Sequence, residues 1–144
     1  MIPARYAATR FPAKLMQKLG DKTLIATVYT NTVNTGLFDA VTVVTDSDII
    51  FNEIKAIGGD VVMSHGEHES GTDRIAEAAA GMEVDIIVNV QGDTPFVQRE
   101  PLQKLLQQFD DASVQVASLM QVITDEAQIA NPNTVKVCVD KKLV

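Results

Sequence analysis

The stretch AVTVVTDSDIIFNEIKAIGGDVVMS, residues 40–64, decides the fold. It opens on a β-branched run, Ala40 to Thr45, and from about Ser47 carries apolar residues at Ile49, Ile50, Ile54 and Ile57. It stops at Gly58-Gly59 and resumes a strand-like run at Asp60 to Ser64. This spacing predicts a strand, a helix facing inward through its four isoleucines, a glycine stop and a second strand, which is the repeating unit of a mostly parallel sheet between helices.

The same alternation extends in both directions. Thr23 is placed to cap a helix whose Leu24, Ile25, Val28, Tyr29 and Val33 share one face, with Gly36 as its stop. Beyond Ser64, strands are expected at Asp85 to Val90, Val114 to Met120 and Thr134 to Val139, and helices at about Thr72 to Ala80 and Arg99 to Phe109. Several of the strand runs are almost continuously apolar, as happens when both faces of a sheet are covered. No repeat, low-complexity tract or linker interrupts the pattern, so the expectation is a single α/β domain over residues 1–144.

Composition narrows the function. Nineteen acidic against 12 basic residues give a formal charge of −7, a sign that repels nucleic acid and anionic membrane unless cations are gathered locally. No run approaches the roughly 18 consecutive apolar residues of a membrane span, and no export signal opens the chain, so a cytoplasmic protein is expected. The one cysteine, Cys138, lies in the apolar run of Val135, Val137 and Val139, where a buried inert thiol in a reducing compartment is the reading. The chain starts at Met1-Ile2 and stops at Leu143-Val144, in both places partway through a strand signal.

Sheets of this kind bind ligands outside the carboxyl ends of their strands. Three connecting segments carry chemistry. The first, Pro3 to Lys14, combines small residues such as Ala4 with Arg5, Arg10 and Lys14, a local cation cluster on an acidic chain. Small residues admit a polyanion to the backbone N–H groups, and arginine and lysine grip phosphate oxygens. Neither GxxxxGK[ST] nor GxGxxG is present. The second, Ile86 to Pro95, is an apolar run that ends in Gln91-Gly92-Asp93. It delivers a carboxylate suited to Mg²⁺ and an amide able to bond a base or sugar, although a strand-end aspartate also serves as a turn former. The third, His65 to Arg74, holds both histidines. It lacks a third soft ligand for a transition metal, and Thr72 reads as the helix cap. Arg74, a cation in a first helical turn, suits a bound anion or an ion pair with Asp73 or Glu77.

Together these segments resemble the CMP-KDO synthetases, the 3-deoxy-manno-octulosonate cytidylyltransferases. Ile2 to Lys14 matches the family's opening IPAR-x-x-S-x-R-x-PGK, Ser70-Gly71-Thr72-Asp73-Arg74 its SGT-x-R, and Val88 to Pro95 its VNVQGDEP. Asn131 to Cys138 matches its NPN-x-VKVV, so four motifs in order span the chain. The resemblance implies a three-layer Rossmann-like nucleotide-diphospho-sugar transferase fold, truncated at both ends, and transfer of CMP from CTP to KDO with release of pyrophosphate. It further implies Mg²⁺ as cofactor, a role in lipopolysaccharide synthesis and a homodimer at full length. By carry-over, Arg10, Lys14 and Asp93 are the catalytic candidates. Ala4, Arg5, Arg10, Lys14, Arg74 and Gln91 are the nucleotide-binding ones, and Asp93 is the metal ligand. Ala8, Ala13, Leu15 and Thr94 depart from the pattern, where the family has serine, glycine, proline and glutamate. The resemblance also implies that most of the sugar pocket and a second metal-binding aspartate lie beyond Val144, so the expectation is a chain that does not turn over alone.

Three other readings compete. An acylneuraminate or other sugar nucleotidyltransferase shares the opening loop. A phospho-acceptor signalling domain would use Asp46 at a strand end, but wants acidic residues where this chain has Pro3-Ala4-Arg5; Asp46 better suits a helix cap or a site wall. An inactive nucleotide-binding fragment is the third.

Overall fold

The structure, a computed structural model, describes residues 1–6 and 13–137. Arg10 and Ala8 of the opening loop, and Cys138 with the rest of the last expected strand, lie outside the described residues. The chain divides into two compact units, Met1–Leu102 and Gln103–Val144.

The first unit contains β1 (Ile2–Ala4), a 3-10 turn (Lys14–Met16), and a small antiparallel hairpin of β2 (Lys18–Leu19) and β3 (Lys22–Thr23). Then come α1 (Leu24–Asn34), β4 (Thr42–Thr45), α2 (Asp48–Ala56), β5 (Asp60–Met63) and α3 (Gly71–Ala79), with the first turn of α4 (Arg99–Gln107) at its end. β4 is the middle strand of a parallel sheet, with Val43 opposite Ile2 on one side and Val61 on the other. Val43 and Val44 point to opposite faces by strand alternation and are both fully buried, so both faces are covered there. Ile25 and Val28 of α1 and Ile50 and Ile54 of α2 join Ile2 and Val43 in one core.

On the other edge of β1, the Met1 nitrogen donates to the Val88 carbonyl at 2.7 Å, and the Val90 N–H donates to the Met1 carbonyl at 3.0 Å. The 85–90 segment thus lies beside β1 without becoming the expected strand, because two bonds to one residue are fewer than a ladder requires. The expected strand over Val114 to Met120 is also absent, as is the described part of the one from Thr134. Val116 is 86% exposed and Val135 91%. An apolar run becomes a strand only where a backbone partner pairs with it, and these two find none among the described residues. The second unit instead shows a 3-10 turn (Gln108–Asp110) and a short α5 (Glu126–Ala130), unanticipated from sequence, whose Asp125 carboxylate accepts from the Ala127 N–H at 2.9 Å.

Helix starts and inward faces need three corrections. α3 is capped by Ser70, not Thr72: the Ser70 hydroxyl accepts from the Asp73 N–H at 3.2 Å, and the Asp73 carboxylate accepts from the Ser70 N–H at 3.0 Å. This reciprocal box satisfies two otherwise orphaned donors. In α2, Ile50 and Ile54 are buried while Ile49 and Ile57 are exposed. Ile49 lies about 100° round the helix from Ile50, and Ile57 sits past the last helical residue as its C-cap. In α1 the inward stripe runs through Ile25, Val28 and Thr32, which leaves Val33 exposed.

Thr23 does cap α1, its hydroxyl accepting from the Ala26 N–H at 3.2 Å and donating to Glu53 of α2 at 2.8 Å. Glycine is required at the stop after α2. Gly58 has φ +73°, and a Cβ on Gly59 would lie 2.6 Å from Ile54 Cγ2 and 2.9 Å from the Tyr29 ring.

The two neighbouring isoleucines of α2 separate burial from mere hydrophobicity. Ile54→Ala is expected to lower unfolding free energy by about 3 kcal/mol, the cost of a buried cavity, whereas Ile49→Ala should change it by less than about 1 kcal/mol. Urea unfolding followed by far-UV circular dichroism checks both, and equal losses would refute the assigned faces.

Candidate functional site

β1 is flanked by β4 on one side and by the Val88–Val90 backbone on the other. The chain reverses its order across the sheet at this point, where sheets of this kind leave a crevice beyond the strand ends. A pocket occupies it, lined by Pro3, Ala4, Arg5, Lys14, Leu15, His68, Ser70, Gly71, Arg74, Gln91, Gly92 and Asp93. Ala4, Arg5, Lys14, Arg74, Gln91 and Asp93, scattered over ninety residues of sequence, therefore face one space. Arg10 lies outside the described residues.

Each side chain is held by its own local structure. Lys14 opens the 3-10 turn, behind Ala13 at φ 52°. Its Nζ donates to Asp93 Oδ2 at 2.6 Å, with both side chains about half exposed. Asp93 sits in a turn closed by the Thr94 N–H donating to the Gln91 carbonyl at 3.1 Å. The Asn31 amide, which donates to the Pro95 carbonyl at 2.7 Å, ties this segment to α1. Only glycine fits at position 92, because a Cβ there would lie 2.9 Å from the Pro3 carbonyl oxygen. Gln91 is oriented by a relay: its Nε2 donates to Asn89 Oδ1 at 3.0 Å, and Asn89 Nδ2 donates to Thr72 Oγ1 at 3.3 Å. Thr72 thus serves this relay rather than the helix cap.

Arg74 is only 5% exposed and pairs with neither Asp73 nor Glu77. Its guanidinium donates to Asp46 Oδ2 at 2.6 Å and to the Ser64 hydroxyl. It thereby clamps the residues just beyond β4 and β5, while still forming part of the pocket wall. Asp46 is consequently the anchor of Arg74 and not a helix cap; Ser47 holds that position at α2. The Asp46 carboxylate supplies the counter-charge that burial of this guanidinium demands.

Glu77 is the functional neighbour that sequence reading missed. Its carboxylate accepts the His65 N–H at 2.8 Å and the Gly66 N–H at 3.1 Å, and it pairs with His68 Nε2. One side chain on α3 thus pins the loop that carries His68 to the pocket. The two backbone bonds, His65 first, hold its carboxyl below the usual glutamate range, with the His68 contact adding to them. Nothing local in sequence signals a carboxylate that serves a loop 11 and 12 residues away.

A family model described as Cytidylyltransferase matches residues 1–143. The chain belongs to the cytidylyltransferase family. Among curated relatives, the chain is 59% identical to the 3-deoxy-manno-octulosonate cytidylyltransferase of Flavobacterium johnsoniae, with 98% of the chain and 59% of the relative covered. It is 54% identical to the enzyme of that name from Christiangramia forsetii, with 98% and 58% covered. The chain therefore spans under two thirds of the length of these relatives. A solved structure of CMP:2-keto-3-deoxy-manno-octonic acid synthetase complexed with CTP superposes with a TM-score of 0.74 at 36% identity, covering 78% of the chain and 47% of that protein. A cytidylyltransferase from Leptospira borgpetersenii superposes with a TM-score of 0.65 at 26% identity, covering 78% and 48%. The expected Rossmann-like nucleotidyltransferase architecture is the one observed. Among the described residues, no helix is long and apolar enough to cross a membrane.

Because its native carboxyl is depressed, Glu77 contributes to holding the loop above the unfolded glutamate range, and that contribution is lost as pH falls through the lower native value. Amide hydrogen exchange at His65 and Gly66 should accordingly show protection at neutral pH that fades on acidification. Glu77→Gln, which keeps one acceptor oxygen but loses the charge, should exchange about tenfold faster at neutral pH. Unchanged protection in Glu77→Gln would remove the carboxylate from this role.

Proposed function

We propose that this chain forms the nucleotide-binding part of a cytidylyltransferase that transfers CMP from CTP to 3-deoxy-manno-octulosonate, releasing pyrophosphate. One observation carries the reading: Arg5, Lys14, Gln91 and Asp93 converge on a single pocket beside β1. The names of the relatives and the CTP bound to the superposed synthetase support cytidine and the acidic sugar over an acylneuraminate.

In this reading Lys14 and Arg5, with Arg10 of the same loop, neutralise the triphosphate, and Ala4 leaves room for it against the backbone. Gln91, oriented through Asn89, offers its remaining amide positions to the base or ribose. Arg74 keeps the wall in place and already carries its own counter-charge. The anomeric hydroxyl oxygen of the sugar attacks the α-phosphorus of CTP, and the bond from that phosphorus to the bridging oxygen breaks. Pyrophosphate departs, and the hydroxyl proton is released to solvent. Such transfers depend on positioning and charge neutralisation more than on covalent participation by the protein.

Mg²⁺ is part of the proposal, with Asp93 as its ligand. The residues present suit it: Asp93 lines the pocket about half exposed and offers a hard carboxylate oxygen. One carboxylate plus phosphate oxygens and water is a common way for proteins to hold this ion. The Lys14 ammonium 2.6 Å from Asp93 already marks a position where a cation is welcome. Bound there, Mg²⁺ would neutralise phosphate charge and lower the pKa of a ligated hydroxyl. A cytoplasmic, homodimeric enzyme of lipopolysaccharide synthesis belongs to the same proposal and rests on the family alone.

Titration calorimetry of the chain with CTP, UTP and ATP in MgCl₂ is the direct test. Saturable binding of CTP in preference to the others is expected. Lys14→Ala should weaken it about tenfold or more, the scale of one charge-assisted phosphate contact. Failure of CTP to bind at millimolar concentration would overturn the assignment, and equal affinity for UTP would overturn the choice of base.

A further inference from the structure

One histidine on the pocket wall uses only half of its hydrogen-bonding capacity. The His68 side chain is 7% exposed, and its Nε2 pairs with the Glu77 carboxylate. Gly66 packs on that edge of the ring, since a Cβ there would stand 3.1 Å from Glu77 Oε2 and 3.4 Å from His68 Nε2. The other nitrogen, Nδ1, is buried without a hydrogen-bond partner, the one such side-chain atom among the described residues. Buried polar atoms are nearly always paired, so an orphan on a ring that lines a ligand pocket points to a partner that arrives with the ligand. Glu77 fixes what that partner can be. A carboxylate only accepts, so in the neutral imidazole the proton sits on Nε2 and Nδ1 is a bare acceptor. The His65 and Gly66 N–H groups hold the same carboxylate in place, which leaves the ring no freedom to exchange its two nitrogens. The orphan therefore takes an N–H or an O–H, and ionised phosphate offers neither.

We propose that His68 Nδ1 accepts a hydrogen bond from a donor on the nucleoside half of bound CTP, either a ribose hydroxyl or the exocyclic amine of the base. The inference rests on the nucleotide-site reading above and adds a specificity-determining residue to it. Arg5 and Lys14 draw the phosphates to their own part of the wall, so the donors of the ligand are those of the nucleoside half. Nδ1 is shielded from water by the wall itself, and the bond forms as the wall adjusts around the nucleotide. A nucleotide that lacks the donor leaves Nδ1 unpaired and is disfavoured for that reason, which is how a buried polar group discriminates more sharply than an apolar one. Glu77 acts through His68 as a positioning residue, since it selects the nitrogen that carries the proton.

Two variants separate this role from a structural one. The oxygen of His68→Asn can occupy the position of Nδ1 and abandons Glu77, whereas His68→Gln keeps a donor toward Glu77 and loses the Nδ1 acceptor. Calorimetric titration with CTP in MgCl₂ at about pH 8, where an ordinary histidine is neutral, should find His68→Gln about tenfold weaker than wild type and His68→Asn within about threefold of it. The opposite order would make the bond to Glu77 the feature that matters and overturn the proposal. The His68→Gln loss should disappear with one ligand: with UTP where the amine is the donor, or with 2′-deoxy-CTP or 3′-deoxy-CTP where a hydroxyl is. An equal loss with all four nucleotides would overturn the contact. On the wild-type chain, which carries no risk of misfolding, nitrogen-15 NMR should show the His68 ring with its proton on Nε2, and CTP should move the Nδ1 signal upfield as that nitrogen accepts a bond. A doubly protonated ring, or an Nδ1 signal that saturating CTP leaves in place, would also overturn it. Wild-type binding of CTP with any of these contrary results leaves the nucleotide site standing. Absence of CTP binding by wild type removes the site reading and the contact together.

Discussion

The pairing around β1 is the constraint on which the rest depends. This three-residue strand accepts β4 along one edge and the Val88–Val90 backbone, through Met1, along the other. The chain therefore leads away from β1 in opposite directions on its two sides, and a crevice opens at such a reversal of strand order. Gly92 sets its depth, since any side chain there would collide with the Pro3 carbonyl and push the Gln91–Asp93 turn outward.

Charge is organised around that crevice in pairs. The chain carries a formal −7, yet the pocket gathers Arg5, Lys14 and Arg74 around one aspartate. The charged residues divide by burial. Arg74 is buried and held by Asp46 and Ser64, which makes it a brace across the ends of β4 and β5. Lys14 and Asp93 are each about half exposed and pair with each other. Breaking a pair that leaves a buried guanidinium unpartnered costs more than breaking one whose members are both half exposed. Glu77 extends the same logic to the backbone, its carboxylate fixing the loop that brings His68 to the pocket.

Much of the first unit was legible from periodicity and capping chemistry. Thr23 and the Gly58-Gly59 stop mark helix ends by a local bond and a backbone angle, and local chemistry is what a sequence displays. The errors share a different cause. Val114–Met120 and the run from Thr134 have strand composition but no partner among the described residues, and Val88–Val90 has a partner that supplies two bonds. Pairing is a property of two segments, so no single segment reveals it. Ile49 and Ile57 misled for a related reason: hydrophobicity says what a residue tolerates, while burial depends on where the helix ends and which of its sides meets the sheet.

By itself the sequence determined much of the alternation of strands and helices in the first unit, the Thr23 cap of α1, the glycine stop of α2, and the residue types able to meet phosphate and a divalent cation. Each of these rests on interactions within a few residues of chain. Only the tertiary structure decided which of those residues share a space and whom they hold while they wait there. It paired Arg74 with Asp46 across 28 residues and Lys14 with Asp93 across 79. It also gave Glu77 to the His65–Gly66 loop. Partners at such separations are chosen by the order of strands in the sheet, which hydrogen bonding between distant backbones sets and local pattern does not encode.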